Sequence, residues 1–400
     1  MGPLSGEETL RKQLAVAPSH VPTAVNTALG PPGQWGSLSM DCADRRSYRV
    51  TLRENLLRSS ALEEAVGARR ALLVTTPTVE LKFGAGLRAA LRHTETVATL
   101  VLNVREGTKS IDLVQTVCAE ALAHGLTRRG LIIAVGGGLC SDIVTVAASW
   151  IRRGIGHVRV PTTLIGQIDA GIGLKGAVNF HGKKSFIGCF HPPEQVLIDP
   201  AFLRTLPARF LVSGLAEAIK MGVVRDAMLF ELIEACAPEL VSSGFSAGYE
   251  VLQRSIWAML DELSTNPYED QTWERLVDFG HTFSPALEAA LGFEIHHGEA
   301  VAVDMALSAS ISRSLGLIDG ATWRRIVGAL RRAGLPVRSP RLDVQLCRDA
   351  LGEARRHRGG SFNLVIPAGI GRAVFLRQTE EIPDPVLAES LSIVADEDAI

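Results

Sequence analysis

Residues Leu131–Trp150 read LIIAVGGGLCSDIVTVAASW: five apolar residues, three glycines, then a run with helical texture. An apolar strand that ends in glycines and feeds a helix is the join of a βαβ unit, so this stretch sets the fold class. The pattern repeats on both sides of it. ALLVTT (71–76) and ATLVLNV (98–104) are further short apolar runs, and residues 111–124 have helical spacing. This alternation predicts a mainly parallel sheet. Beyond about residue 205 the texture turns helical: GLAEAIKMGVV, SAGYEVLQRSIWAMLDEL, GEAVAVDMALSASISRSLG and ATWRRIVGALRRAG each place apolar residues at i, i+3 and i+4.

The expected plan is therefore an α/β half followed by an α-helical half, with a ligand cleft between them. Residues 1–45, rich in Pro, Gly, Ser and Ala, are read as a loosely ordered extension. The α/β domain is expected over 46–207, the helical domain over 208–385, and an acidic frayed tail over 386–400.

Composition excludes several classes of partner. The 41 Lys and Arg against 43 Asp and Glu leave no net basic character for nucleic acid or an anionic membrane. No apolar run reaches the length of a membrane span, and the start MGPLSGEETLRKQ lacks a basic segment followed by an apolar core. Six cysteines without a CxxC pair fit reduced thiols and a cytoplasmic protein.

Three features carry chemistry. Glycines 136–138 before a helix let backbone approach a pyrophosphate, although GGG is not the dinucleotide fingerprint GxGxxG. Residues 152–191 bring Arg152, Arg153, Lys175, Lys183 and Lys184 together with Asp169 in a glycine-rich segment, which suits a small phosphorylated substrate or an ordinary solvated loop. His281, His296 and His297 fall within seventeen positions of one another. With Glu217, and Lys220 one turn further on, they could hold zinc with an open position, or be satisfied core histidines; the spacing is not HExxH and decides neither.

Seven segments in order name a family: REGTK, GGGLCSD, RRGIGHVRVPTTLIGQIDAGIGLK, GKKSFIGCFHPP, GLAEAIK, DFGHTF and HGEAV. Across roughly residues 70–375 they resemble the sugar phosphate cyclases, the superfamily of 3-dehydroquinate synthase. That resemblance implies an NAD-binding α/β domain, a helical domain holding zinc or cobalt, and a homodimer. It implies Glu217, His281 and His297 as metal ligands, with His296 an unliganded neighbour. Glu106, Lys109, Gly137, Gly138, Asp142, Thr162 and Thr163 resemble the family's NAD contacts. Asp169, Lys175, Lys184 and Lys220 match its substrate-site residues, and Arg153 an arginine that reaches the neighbouring subunit's phosphate site. The family's chemistry is a transient oxidation by NAD+, phosphate elimination, reduction, ring opening and aldol closure.

Departures from dehydroquinate synthase point to a branch. Asp278 replaces an Asn, Ser284-Pro285 replaces Gly-His, and Glu274 stands where an arginine normally meets the substrate carboxylate. With RRHRGG and its His357, these resemble the branch that cyclises sedoheptulose 7-phosphate, that of the 2-epi-5-epi-valiolone synthases. Asp278 and His357 are then expected at the substrate's hydroxyl end. Siblings in that branch make 2-epi-valiolone or desmethyl-4-deoxygadusol, and Ser185, where an Asn is usual, is a candidate mark of such a variant. Dehydrogenases of the glycerol dehydrogenase type share the two-domain plan but would accumulate NADH.

Overall fold

The computed structural model describes residues 25–27, 38–40, 47–272, 274–357 and 360–396, with backbone alone at 25–27, 38–40, 96–97, 357 and 395–396. The chain divides into two compact units, Met1–Ser47 and Tyr48–Ile400. Within the first, Val25–Thr27 pairs antiparallel with Leu38–Met40; the rest of the expected extension lies outside the described residues.

In the second unit, strands β1 (Arg49–Leu52), β2 (Arg70–Thr75), β3 (Glu95–Val101), β4 (Leu131–Gly136), β5 (Gly156–Pro161) and β8 (Gln195–Ile198) form one sheet in the order β1-β8-β5-β4-β2-β3. Every neighbouring pair is parallel. Both faces are covered, which explains why the strands read as unbroken apolar runs. Ala71 and Leu73 of β2 and Leu131, Ile133 and Val135 of β4 pack on one side, and Leu72, Val74, Ile132 and Ala134 on the other. Helix α1 (Pro77–Ala90) covers the first face, while α2 (Ile111–Ala123) and α3 (Gly138–Trp150) cover the second. The chain runs from β2 outward to β3 and then crosses to β4 on β2's other side. Ligands of such sheets bind at the strand carboxyl ends beside this reversal.

Between β5 and β8 lies an antiparallel hairpin of β6 (Lys175–Phe180) and β7 (Lys183–Phe190), which the basic, glycine-rich sequence had not disclosed as strands. The second half is helical: α4 (Ala208–Val224), α5 (Ala227–Ser242), α6 (Tyr249–Thr265), α7 (Ser284–Ala290), α8 (His297–Ser314), α9 (Gly320–Arg332) and α10 (Val344–His357). It also contains a small hairpin, β9 (Leu364–Pro367) and β10 (Ala373–Leu376).

Two expectations need amendment. Residues Asp384–Asp396 form a helix, α11, with Leu387 and Val394 buried, so only the last four positions of the expected frayed tail 386–400 fall outside the described residues. The acidic ending masked an apolar stripe, Leu387, Leu391 and Val394, at helical spacing. The expected boundary at 207/208 coincides with the start of α4, yet one hydrophobic core spans it. Leu164, Ile168, Ile172, Val196 and Ile198 of the α/β half pack with Leu215, Ile219, Met259, Met305 and Trp323.

Gly214 makes that join close. A Cβ there would lie 2.6 Å from Leu164 Cβ and 2.9 Å from Ile165 N. Gly214→Ala should destabilise the protein by about 1–3 kcal/mol, despite alanine's higher helix propensity. A chemical-denaturation midpoint that stays level or rises would show that the two layers yield to a methyl group.

Candidate active site

At the carboxyl end of β4 the chain turns on Gly136 and Gly137 into α3. A Cβ on Gly137 would sit 3.1 Å from Thr163 Cγ2, and one on Gly138 would sit 3.0 Å from Ala170 Cβ. Glycine thus leaves a cradle of bare backbone at the start of a thirteen-residue helix, where free N–H groups favour an anion. Thr162 stands on the next strand's end, its N–H donating to Gly136 O at 2.9 Å. Lys109, almost fully buried, pairs with Asp142 of α3 at 2.5 Å. Glu106 is tied in by Asn179 of β6, whose amide donates to Glu106 O (2.9 Å) and Oε1 (3.1 Å). The seven residues expected around NAD lie on this turn, early in α3, on the adjoining strand end or on the loop before α2.

The metal candidates come from three elements. Glu217 lies in α4, His281 in the loop before α7, and His297 at the first position of α8. One ligand atom from each lies within 4.8 Å of the others. Glu217 Oε1 is 3.7 Å from His281 Nε2 and 3.5 Å from His297 Nε2, and it is buried without a hydrogen-bond partner. A buried, unsatisfied carboxylate oxygen facing two imidazole nitrogens is what a bound cation satisfies. The residues fit zinc or cobalt.

The second atoms of each ligand are also held. His281 Nδ1 lies 3.1 Å from Phe279 O, and His297 Nδ1 lies 2.6 Å from Glu288 Oε1. Such outer contacts fix ring orientation. Burial, helped by the nearby Lys220 charge, brings His281 down to about 4, which leaves its imidazole neutral and able to coordinate. His297 goes the other way: burial disfavours its charge, but the Glu217 and Glu288 carboxylates beside it raise it to about 9. His296, the cap of α8, instead packs on Phe210 with ring centroids 4.9 Å apart and stays outside the cluster.

Lys220, one turn after Glu217, is buried and contacts Glu217 Oε2. Its ammonium is 3.7 Å from Asp169 Oδ2 in the turn after β5. Burial opposes the lysine's charge, but Glu217 and Asp169 outweigh it and hold the group above its ordinary value. Loss of hydration pushes Asp169 up to about 6 against the pull of Lys220. The pair is a cation beside a carboxyl poised near neutrality.

The remaining expected residues are distributed unequally. Lys184 pairs with Glu288 Oε2 at 2.6 Å, so Glu288 bridges the hairpin to His297. Lys175 contacts Glu269, and Asp278 accepts from Arg275 at 2.6 Å. Arg153 is exposed in a left-handed turn (φ 67°) with no ion pair among the described residues. Glu274 pairs with the exposed Arg377 at 2.7 Å. Ser185 is exposed, its N–H donating to Asn179 Oδ1. The His357 side chain lies outside the described residues. Sequence reading missed Asn179, Glu269, Arg275 and Glu288. Only Glu288 left a signal, as a lone carboxylate on the otherwise apolar face of ALEAAL.

Residues 99–213 match the family described as 3-dehydroquinate synthase N-terminal, and 214–356 its C-terminal counterpart. The chain belongs to the 3-dehydroquinate synthase family, and so to the sugar phosphate cyclase enzymes. Within that family it is similar to the 2-epi-5-epi-valiolone synthase of Streptomyces glaucescens, at 42% identity over 90% of this chain and 95% of that protein. The 3-dehydroquinate synthase of Xanthomonas axonopodis pv. citri is 33% identical over 90% of this chain and 98% of its own length. Among solved structures, ValA, the 2-epi-5-epi-valiolone synthase of Streptomyces hygroscopicus subsp. jinggangensis 5008 with NAD+ and Zn2+ bound, superposes with a TM-score of 0.85 at 40% identity, covering 90% of this chain and 99% of that one.

The metal geometry hangs on one close contact. Gly298 N–H donates to Ser213 Oγ at 3.1 Å, and a Cβ on Gly298 would fall on the Ser213 carbonyl. Gly298→Ala should shift His297 from Glu217 and weaken zinc binding by about tenfold or more, on the scale of outer-contact losses. Glu217→Gln should leave the purified protein without stoichiometric zinc. Elemental analysis and chelator competition read both; full zinc retention in Glu217→Gln would remove that residue from the ligand set.

Proposed function

We propose that this chain cyclises sedoheptulose 7-phosphate to the seven-carbon cyclitol 2-epi-5-epi-valiolone, releasing phosphate, with NAD+ and zinc or cobalt as cofactors. One observation carries the reading: the orphaned Glu217 Oε1 between His281 and His297 stands beside Lys220 and Asp169. It does so in a chain whose relatives at 42% and 40% identity are 2-epi-5-epi-valiolone synthases. When bound, NAD+ takes and returns a hydride at a ring carbon while the metal polarises substrate oxygens, so no net oxidation accompanies loss of phosphate.

The chain's own residues divide the remaining work. Backbone N–H groups of Gly137 and Gly138 receive the pyrophosphate, and the Lys109–Asp142 pair, Glu106, Thr162 and Thr163 frame the rest of the dinucleotide. Glu217, His281 and His297 hold the metal. Lys220 keeps a positive charge beside the reacting hydroxyl, and Asp169 accepts or returns its proton near neutral pH. Lys184, restrained by Glu288, faces the phosphate, and Asp278 and His357 accept the sugar's terminal hydroxyls.

The same reading takes a homodimer, in which exposed Arg153 is available to the phosphate site of a second copy. The five described cysteines without disulfides fit a reducing cytoplasm. No described helix is long and apolar enough to cross a membrane.

Incubation of the zinc-loaded protein with NAD+ and sedoheptulose 7-phosphate should release one phosphate per sugar with no accumulation of NADH. NMR of the product should show 2-epi-5-epi-valiolone. NADH rising in step with product would identify a dehydrogenase instead, and 2-epi-valiolone or desmethyl-4-deoxygadusol would place the chain with its siblings. Asp169→Asn should lower kcat by about 100-fold or more while leaving zinc content unchanged.

A further inference from the structure

The loop between α6 and the metal-bearing turn carries Glu269 and Arg275, charged residues that neither the motifs nor the mechanism use. Asn266 builds this loop. Its side-chain oxygen accepts from Asp270 N (3.2 Å) and Gln271 N (3.3 Å), and its amide donates to Thr272 O at 2.9 Å. Tyr268 packs on Phe190 of the hairpin, ring centroids 5.9 Å apart. Glu269 is held at φ 56°, a left-handed conformation that a glutamate adopts only at some cost. The loop thus places one carboxylate at a fixed point.

At that point Glu269 contacts both the Lys175 ammonium and the Arg275 guanidinium. Arg275 reaches on to Asp278 Oδ1 at 2.6 Å. The side chains of Glu269, Arg275 and Asp278 are all less than one-fifth exposed. The result is an alternating row, Lys175, Glu269, Arg275 and Asp278, with no net charge. It adjoins the reaction centre, since Asp278 O accepts from the N–H of His281, a metal-ligand candidate, at 3.0 Å.

We propose that Glu269 and Arg275 are specificity-determining residues: by neutralising Lys175 and anchoring Asp278, they make this end of the site accept hydroxyl groups and reject a substrate carboxylate. A carboxylate needs an unengaged cation, and each cation here already has an anion. Sugar hydroxyls need acceptors, and two carboxylates supply them. Glu274, whose sequence position suggested this role, is instead engaged at the surface with Arg377. The inference rests on the proposed substrate class for its sugar but assigns the discrimination to residues that the resemblance does not name.

The test compares binding of two sugar phosphates to the zinc-loaded protein by titration calorimetry with NAD+ withheld, so that the oxidation that begins turnover has no hydride acceptor. One is sedoheptulose 7-phosphate; the other is the carboxylated seven-carbon sugar phosphate that dehydroquinate synthases cyclise. Glu269→Gln releases Lys175 and Arg275 and should shift the ratio of the two dissociation constants toward the carboxylated sugar by about tenfold. Arg275→Gln leaves the carboxylates in excess and should shift it the other way. Glu269→Asp, which keeps the charge, should restore most of the wild-type ratio. Structural damage would not move two variants in opposite senses, and if Glu269→Gln does not fold, the sign for Arg275→Gln decides. Ratios within twofold of wild type, or shifts of the same sign, overturn the proposal. Because binding is read without turnover, a wild-type protein that binds but does not cyclise sedoheptulose 7-phosphate removes the assigned reaction and leaves this ratio to be judged separately.

Discussion

A carboxylate with no exposure to water organises this protein. Glu217 sits inside α4 among apolar neighbours, where an unpaired charge would be too costly to keep. Its charge survives because Lys220 follows one turn later and two imidazoles face its other oxygen. Each partner comes from a different stretch of chain, so meeting the needs of one carboxylate brings α4, the loop before α7 and the start of α8 to a single place. The close seating of Gly298 on Ser213 follows from the same demand.

From this centre the polar contacts run outward without a break. His297 leads to Glu288, Glu288 to Lys184, and Lys184 to the β6–β7 hairpin. The hairpin is tied in turn to the cofactor side: Asn179 N–H donates to Lys109 O, and its side chain binds Glu106. The metal candidates, Lys184 and the loop of Glu106 and Lys109 are thus parts of one connected polar framework. Asp169 gains its proton affinity from the same dry surroundings that strengthen the charges around it.

Much of this was legible in the sequence, for identifiable reasons. Parallel strands buried on both faces leave continuous apolar runs, and GGG at the end of one of them marks the crevice. Helices with one buried face leave the i, i+3, i+4 pattern. The metal trio was named through motifs, because separations of 64 and 16 residues along the chain carry no geometric meaning until the fold closes. What stayed hidden depends on pairing across distance. The hairpin is too rich in glycine and lysine to show strand alternation, and α11 was obscured by its acidic ending. Glu269 and Arg275 look like ordinary surface charges until Asn266 folds their loop. Glu274 shows the converse: alignment by position suggested a role that the ion pair with Arg377 takes away.

The core that spans residue 207 has a thermodynamic consequence. Leu164, Ile168 and Val196 lose packing partners if α4 and α8 separate from the sheet, although each half also holds apolar clusters of its own. Unfolding of the helical half therefore exposes apolar surface of the sheet half, which couples the stability of the two. A ligand bound by either half then stabilises the other, because each draws on the same folding equilibrium.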